Sequence, residues 1–147
     1  MKYLNFNDAL NQNISDHNNQ DDELLENLRS KTYLKTGRRM MISSDQAQFL
    51  RTLIALTQPK KILEVGVFTG YSSTVIARSI ADDALIFACD ISEEWTAIAQ
   101  KFWDKAGVKD KISLLLGEAT ETLSTLIQMG NSESFDLAFI DADKINY

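Results

Sequence analysis

The sequence predicts an α/β fold built on a parallel, doubly wound sheet, and three observations carry that prediction. After Pro59, short apolar runs of strand type alternate regularly with helical segments. Two of those runs, Leu85-Ile86-Phe87-Ala88 and Leu137-Ala138-Phe139-Ile140, are continuously apolar, as strands buried on both faces are. The first run, Lys61–Val65, breaks at Gly66 and Gly70 and passes into helix formers, the strand–turn–helix joint of such sheets.

Before that alternation lies a different pattern. From Asn5 to Asp22 the chain is rich in Asn, Gln and Asp, so residues 1–22 are expected to be a mobile or loosely docked arm, and residues 23–147 the ordered domain. The acids Asp21-Asp22-Glu23 suit a helix start, and Leu24, Leu25 and Leu28 give that helix an apolar stripe reaching about Lys35, with Gly37 near its end. Ser43 or Ser44 caps a second helix through Phe49, Leu50, Leu53, Ile54 and Leu56, which Pro59 stops. Lys61–Val65 is then a strand, Tyr71–Ile80 a helix, and Ala84–Cys89 a strand ending in Asp90. Ser92 caps a helix carrying Trp95, Ile98, Ala99, Phe102, Trp103 and Ala106 on one face, closed by Gly107. Ile112–Leu116 is the third strand, Glu118 to about Met129 a helix, and Phe135–Ile140 the fourth strand. Repeated βα units of this kind give a parallel sheet with right-handed crossovers. Because Tyr147 follows so soon after a strand of central character, the chain is expected to be a fragment of a longer protein, or to have that edge covered by a partner.

Composition excludes several classes. The chain has 147 residues, 44% of them apolar and 24% charged, as in an ordinary single globular domain. A net charge of −6 argues against a nucleic-acid surface, and the basic groups Lys35/Arg38/Arg39 and Lys109/Lys111 are too small to reverse that. A lone cysteine, Cys89, builds neither a disulfide framework nor a thiolate metal site and is expected to be a small buried hydrophobe. The single histidine, His17, stands in a polar stretch unsuited to a catalytic triad. With no long apolar span and no signal pattern, a cytoplasmic protein without membrane association is expected.

Ligands of a doubly wound sheet bind outside the carboxyl ends of its strands, and here every strand end carries an acid. Glu64 and Gly66 follow the first strand, Asp90 the second, Gly117-Glu118-Ala119 the third and Asp141-Ala142-Asp143-Lys144 the fourth. Without Cβ atoms, Gly66 and Gly70 allow strained dihedrals and a close approach of ligand to backbone, although such a joint by itself is equally a structural turn. Asp90 stands 20 residues past Gly70, the spacing at which a carboxylate accepts ribose hydroxyls; the alternative is a loop or helix-capping aspartate. The glycines depart from G-x-G-x-x-G, which disfavours a nicotinamide or flavin dinucleotide and leaves an adenosine-type ligand without phosphates. Asp141 and Asp143 point to different sides, one toward a hard divalent cation and one toward the cofactor pocket, with Lys144 able to act as a general base; a solvated loop is the bland alternative.

Together these residues resemble the cation-dependent, S-adenosylmethionine-dependent O-methyltransferases, the group that contains caffeoyl-CoA and catechol O-methyltransferases and bacterial relatives. The resemblance rests on Met41 to Leu50, Ile62 to Ser72, Ala88-Cys89-Asp90, Lys105-Ala106-Gly107-Val108 and Phe135 to Tyr147. It implies a Rossmann-like class I methyltransferase fold, incomplete here, with residues 23–147 its N-terminal part, roughly two-thirds of the domain. By that resemblance Glu64, Gly66, Val67 and Ser72 would line the methionine end of S-adenosylmethionine, Ile42 would close over it, and Gly70 and Tyr71 would be further cofactor-binding residues. Asp90 would hold the ribose, Ala119 would lie by the adenine, and Asp143 would touch the cofactor. Asp141 would bind the divalent cation (Mg, Mn or Ca), and Lys144 would be the catalytic base.

The implied reaction is in-line methyl transfer to a hydroxyl of a small catechol-like acceptor, with the cation holding vicinal oxygens. A homodimer is the expected assembly. The family's second metal-binding pair, an Asp-Asn after the next strand, is absent from this sequence, so the chain alone is expected to be inactive. A non-catalytic nucleotide-binding or dimerisation module that keeps the cofactor pocket is the competing class.

Overall fold

The computed structural model describes residues 7–17, 21–34 and 40–142. Helices α1 (Asp8–His17), α2 (Glu23–Tyr33) and α3 (Ser44–Thr57) come first. The alternation follows as β1 (Lys61–Val65), α4 (Tyr71–Ser79), β2 (Leu85–Asp90), α5 (Glu93–Ala106), β3 (Ile112–Leu116), α6 (Ala119–Leu126) and β4 (Leu137–Ile140).

Local chemistry sets the helix boundaries. The Asp22 carboxylate accepts from the Leu25 amide at 3.1 Å and starts α2. Ser43 and Gln46 exchange side-chain and backbone hydrogen bonds at 3.2 and 3.0 Å, a capping box that starts α3. Ser92 caps α5 through the Trp95 amide, and Gly107, in the left-handed region, ends it. The small basic group at Lys109 and Lys111 is spent on ion pairs with Asp104 and Asp82, while Lys35, Arg38 and Arg39 lie outside the described residues.

All described strand pairs are parallel and the order is β3-β2-β1-β4. The chain steps outward from β1 to β2 to β3, then crosses back to place β4 on the other side of β1. Strand order therefore reverses between β1 and β4, which opens a crevice at their carboxyl ends. The main core fills one face of the sheet: Leu28, Ile54, Val75, Ile76, Phe102 and Trp103 from α2 to α5 pack on Ile62, Ile86 and Ala88. The other face carries a smaller cluster, in which Leu123 and Leu126 of α6 meet Val65, Phe87, Cys89 and Leu115.

Three features differ from the sequence reading. The polar arm contains α1, which starts where the Asn7 side chain accepts from the Leu10 amide at 2.9 Å and half-buries Leu10 and Ile14. The helix expected to reach Met129 ends at Leu126 and widens into a π-helical turn over Ile127–Asn131, where Gly130 is left-handed and the Asn131 side-chain Nδ2 donates to the Leu126 carbonyl. Strand β4, expected to be buried on both faces, alternates instead, with Ala138 and Ile140 exposed. These two share the face of Leu63 and Val65, where the one described helix, α6, packs over β2 and β3 rather than β4. Among the described residues no helix is long and apolar enough to cross a membrane.

The joint from β1 to α4 is packed on both sides. Gly70 has φ +83°, and a Cβ there would stand 2.5 Å from the Cβ of Ala99 on α5. Its bare Cα is what lets α5 lie against the start of α4. Gly70→Ala is expected to cost about 2–4 kcal/mol, from left-handed strain plus overpacking, as read by urea unfolding.

Candidate cofactor site

A cleft of about 410 Å³ lies at the carboxyl ends of the strands, on the crevice between β1 and β4. Val65, Gly66 and Val67 form its floor after β1, Cys89, Asp90 and Ile91 enter from the end of β2, and Gly117, Glu118 and Ala119 from the end of β3. Ile140, Asp141 and Ala142 bound it at β4, and Met40, Met41 and Ile42, ahead of α3, form a further wall.

Asp90 does more here than face the cleft. Its Oδ2 accepts the amides of Val67 and Phe68, both at 2.8 Å, and its Oδ1 accepts the Ser92 amide at 2.8 Å. The Gly66 amide goes to the Cys89 carbonyl at 2.9 Å and the Gly70 amide to the Val67 carbonyl at 3.0 Å. These loop amides are therefore satisfied within the protein and do not form the cradle of free N–H groups that a pyrophosphate needs. Oδ2 is filled by its two amides, whereas Oδ1, with one, keeps a further lone pair for a hydroxyl donor. The loop also holds Phe68 at φ 53°, a left-handed conformation for a non-glycine residue, with its ring 4.9 Å from that of Trp95.

The sequence-predicted residues separate into groups. Ile42, Gly66, Val67, Tyr71, Ser72, Asp90, Ala119 and Asp141 all line the cleft. Gly70 does not: the space freed by its missing Cβ is taken by Ala99 and the indole of Trp103. At Gly66 the close approach is to the chain itself, since a Cβ would stand 2.5 Å from the Asp141 carbonyl oxygen. Glu64 lies behind the wall, fully buried, and receives the Ser72 hydroxyl. Asp143 and Lys144 lie outside the described residues.

Several lining residues escaped the sequence reading. Cys89 is 1% exposed, as a buried hydrophobe should be, yet also borders the cleft because it is the last β2 residue before Asp90. Met40 and Met41 were legible only as apolar neighbours of Ile42, and the exposed Ile91 only as the residue after Asp90. Among the described residues no three His, Cys, Asp or Glu side chains are grouped as a metal ion needs, and Asp141 contributes a single carboxylate at the rim.

Glu64 dominates the electrostatics. Burial first of all, with Asp90 and Asp141 adding to it against the Ser72 and Ser73 hydroxyls, pushes its carboxyl from 4.5 up to about 8. Its Oε2 has no hydrogen-bond partner among the described residues. Folded protein thus holds this proton more tightly than the unfolded chain does. Its contribution to stability is complete below about pH 4.5 and is lost as the pH rises through about 8. Glu64→Gln, which mimics the protonated acid, is expected to flatten the pH dependence across that window and to be more stable than wild type at pH 8.5 by about 1–3 kcal/mol in urea unfolding.

Comparison with known proteins agrees with this geometry. A family model described as O-methyltransferase matches residues 13–147. The chain is 37% identical over 145 residues to a Dictyostelium discoideum protein named probable caffeoyl-CoA O-methyltransferase 2, covering 98% of this chain and 63% of that protein. It is 40% identical over 142 residues to caffeoyl-CoA O-methyltransferase 1 of Eucalyptus globulus, covering 95% and 58% respectively. Its fold superposes with a TM-score of 0.84 on an O-methyltransferase from Bacillus cereus crystallised with S-adenosylhomocysteine, at 29% identity and with 94% of this chain and 62% of that one covered. The chain thus spans somewhat under two-thirds of the length of these relatives. With a parallel sheet of class I methyltransferase order and a cleft at its switch point, the chain belongs to the O-methyltransferase family.

Proposed function

We propose that this chain carries the cofactor-binding part of an S-adenosylmethionine-dependent O-methyltransferase acting on a small hydroxylated acceptor. The observation that carries the reading is the cleft at the β1–β4 switch point, where Asp90 meets a glycine loop whose Gly66, Val67, Phe68 and Gly70 amides are already satisfied. Such a site suits a nucleoside with no phosphates. Asp90, Glu118 and Asp141 around it suit a positively charged ligand, and Glu64, buried behind the wall with Oε2 unpartnered, is a carboxyl that such a charge would favour in its ionised form.

When bound, the cofactor supplies a methyl group on a sulfonium, which passes to an acceptor oxygen while that hydroxyl gives up its proton. The chain's residues bind and orient. Asp90 accepts a ribose hydroxyl with the lone pair left on Oδ1, its Oδ2 being held by the loop amides. Met40, Met41 and Ile42 exclude water from one side, and Ala119 offers an apolar surface to the base. Positioning of this kind is worth a large part of a methyl-transfer barrier. Lys144 is the proposed proton acceptor, and Asp143 a further cofactor contact. A divalent cation near Asp141 completes the reading, its remaining ligands coming from beyond the described residues; it would acidify the acceptor hydroxyl. A catechol-type acyl thioester is the favoured acceptor class, from the likeness to the caffeoyl-CoA O-methyltransferases.

Calorimetry with S-adenosylhomocysteine on the complete protein tests the reading. Binding in the micromolar range is expected, with a loss of at least about 100-fold in Asp90→Ala, which removes the hydroxyl acceptor and frees the loop amides together. Absence of binding overturns it. Binding without methyl transfer to any of a panel of catechols and hydroxylated acyl thioesters would instead identify a non-catalytic cofactor-binding module.

A further inference from the structure

Outside the cleft, one cluster of charged side chains reaches its wall. Asp21, just ahead of α2, has a side chain only 4% exposed. Its Oδ1 accepts from Arg51 of α3 at 3.2 Å, and its Oδ2 accepts the Tyr71 hydroxyl at 2.6 Å. Arg29 of α2 donates to the Tyr71 oxygen at 3.3 Å, stands 3.8 Å from Asp21 Oδ2 and lies 5.2 Å from the centre of the Tyr71 ring. That ring, at the first residue of α4, is itself part of the cleft wall.

We propose that Asp21 is a positioning residue of the cofactor cleft, fixing the Tyr71 ring through its hydroxyl so that the start of α2 and the β1–α4 loop act as one unit. The ligand side of this inference rests on the cofactor reading given above. A carboxylate so little exposed needs its cations and donors, and Asp21 finds them on α3, on α2 and at the head of α4. Burial, and then Asp21 as acceptor, push the Tyr71 phenol up to about 12, so it remains a donor throughout the neutral range. A second tie holds the far end of α2 to the same loop: the buried hydroxyls of Thr32 and Thr69 lie 2.8 Å apart. Clamped at both ends, α2 sets where the loop and the Tyr71 ring stand before any ligand arrives. Affinity then includes no cost of ordering them.

The test compares wild type, Asp21→Asn, Tyr71→Phe and the double variant of the complete protein. S-adenosylhomocysteine affinity is measured by calorimetry, and amide hydrogen exchange of residues 67–71 without ligand. Tyr71→Phe keeps the ring and removes only the hydroxyl, so it isolates positioning from the wall itself. Each single variant is expected to weaken binding about tenfold, with faster loop exchange, and the double variant no more than about twofold beyond the worse single. Affinity within twofold of wild type in both singles, losses that multiply in the double, or unchanged loop exchange each overturn the proposal. A purely structural network would lower thermal stability and leave affinity alone. Wild-type protein that fails to bind S-adenosylhomocysteine refutes the cofactor reading, and the exchange measurement then decides by itself whether Asp21 holds the loop.

Discussion

The carboxylate of Asp90, holding the amides of Val67 and Phe68 from the end of the neighbouring strand, is the constraint on which the rest of the site depends. The turn between β1 and α4 must leave the sheet plane, pass over the crevice and enter a helix within a few residues. That path places Phe68 in a left-handed conformation and exposes several amides away from any sheet or helix ladder. A charged acceptor for two of them offsets the strain and keeps the turn in one shape. Gly66 and Gly70 then allow the turn to be pressed from two directions, against the Asp141 carbonyl and against α5.

The character of the cleft follows from this. A loop whose Gly66, Val67, Phe68 and Gly70 amides are already committed offers few donors to an anion, and the acids at the strand ends make the surroundings negative. An anionic dinucleotide would meet repulsion without compensation; a cationic nucleoside meets the opposite. Glu64 stands at the centre of that field. It is buried beside Ser72, its second oxygen unpartnered, in a position where a neutral carboxyl is stable without ligand and where a nearby positive charge would favour the ionised form.

Around this centre the helices before the sheet form a frame. Helix α2 contributes to the main core through Leu25 and Leu28, while its two ends touch the loop that lines the cleft, through Asp21 with Tyr71 and through Thr32 with Thr69. The core and the ligand wall therefore share one element. A segment that began, by composition, as a polar approach to the domain carries in Asp21 a carboxylate bound to three other elements.

What the sequence determined by itself was everything governed by neighbours along the chain. Asp22, Ser43 and Ser92 cap their helices by reaching three residues ahead, Gly107 ends one, and β1 and β3 lie where their apolar runs predicted, because these are local hydrogen-bond and steric events. The gathering of Gly66, Ser72, Asp90, Ala119 and Asp141 at one end of a parallel sheet was equally legible, since strand ends in this topology share an edge. The tertiary structure decided what depends on distant partners. It gave the Val67 and Phe68 amides to Asp90 rather than to a ligand, turned Gly70 toward α5, drew Asp21 under Tyr71 and left the Ala138–Ile140 side of β4 exposed. None of these follows from spacing, because each is a competition for a hydrogen bond or a packing surface between groups that only the folded chain brings together.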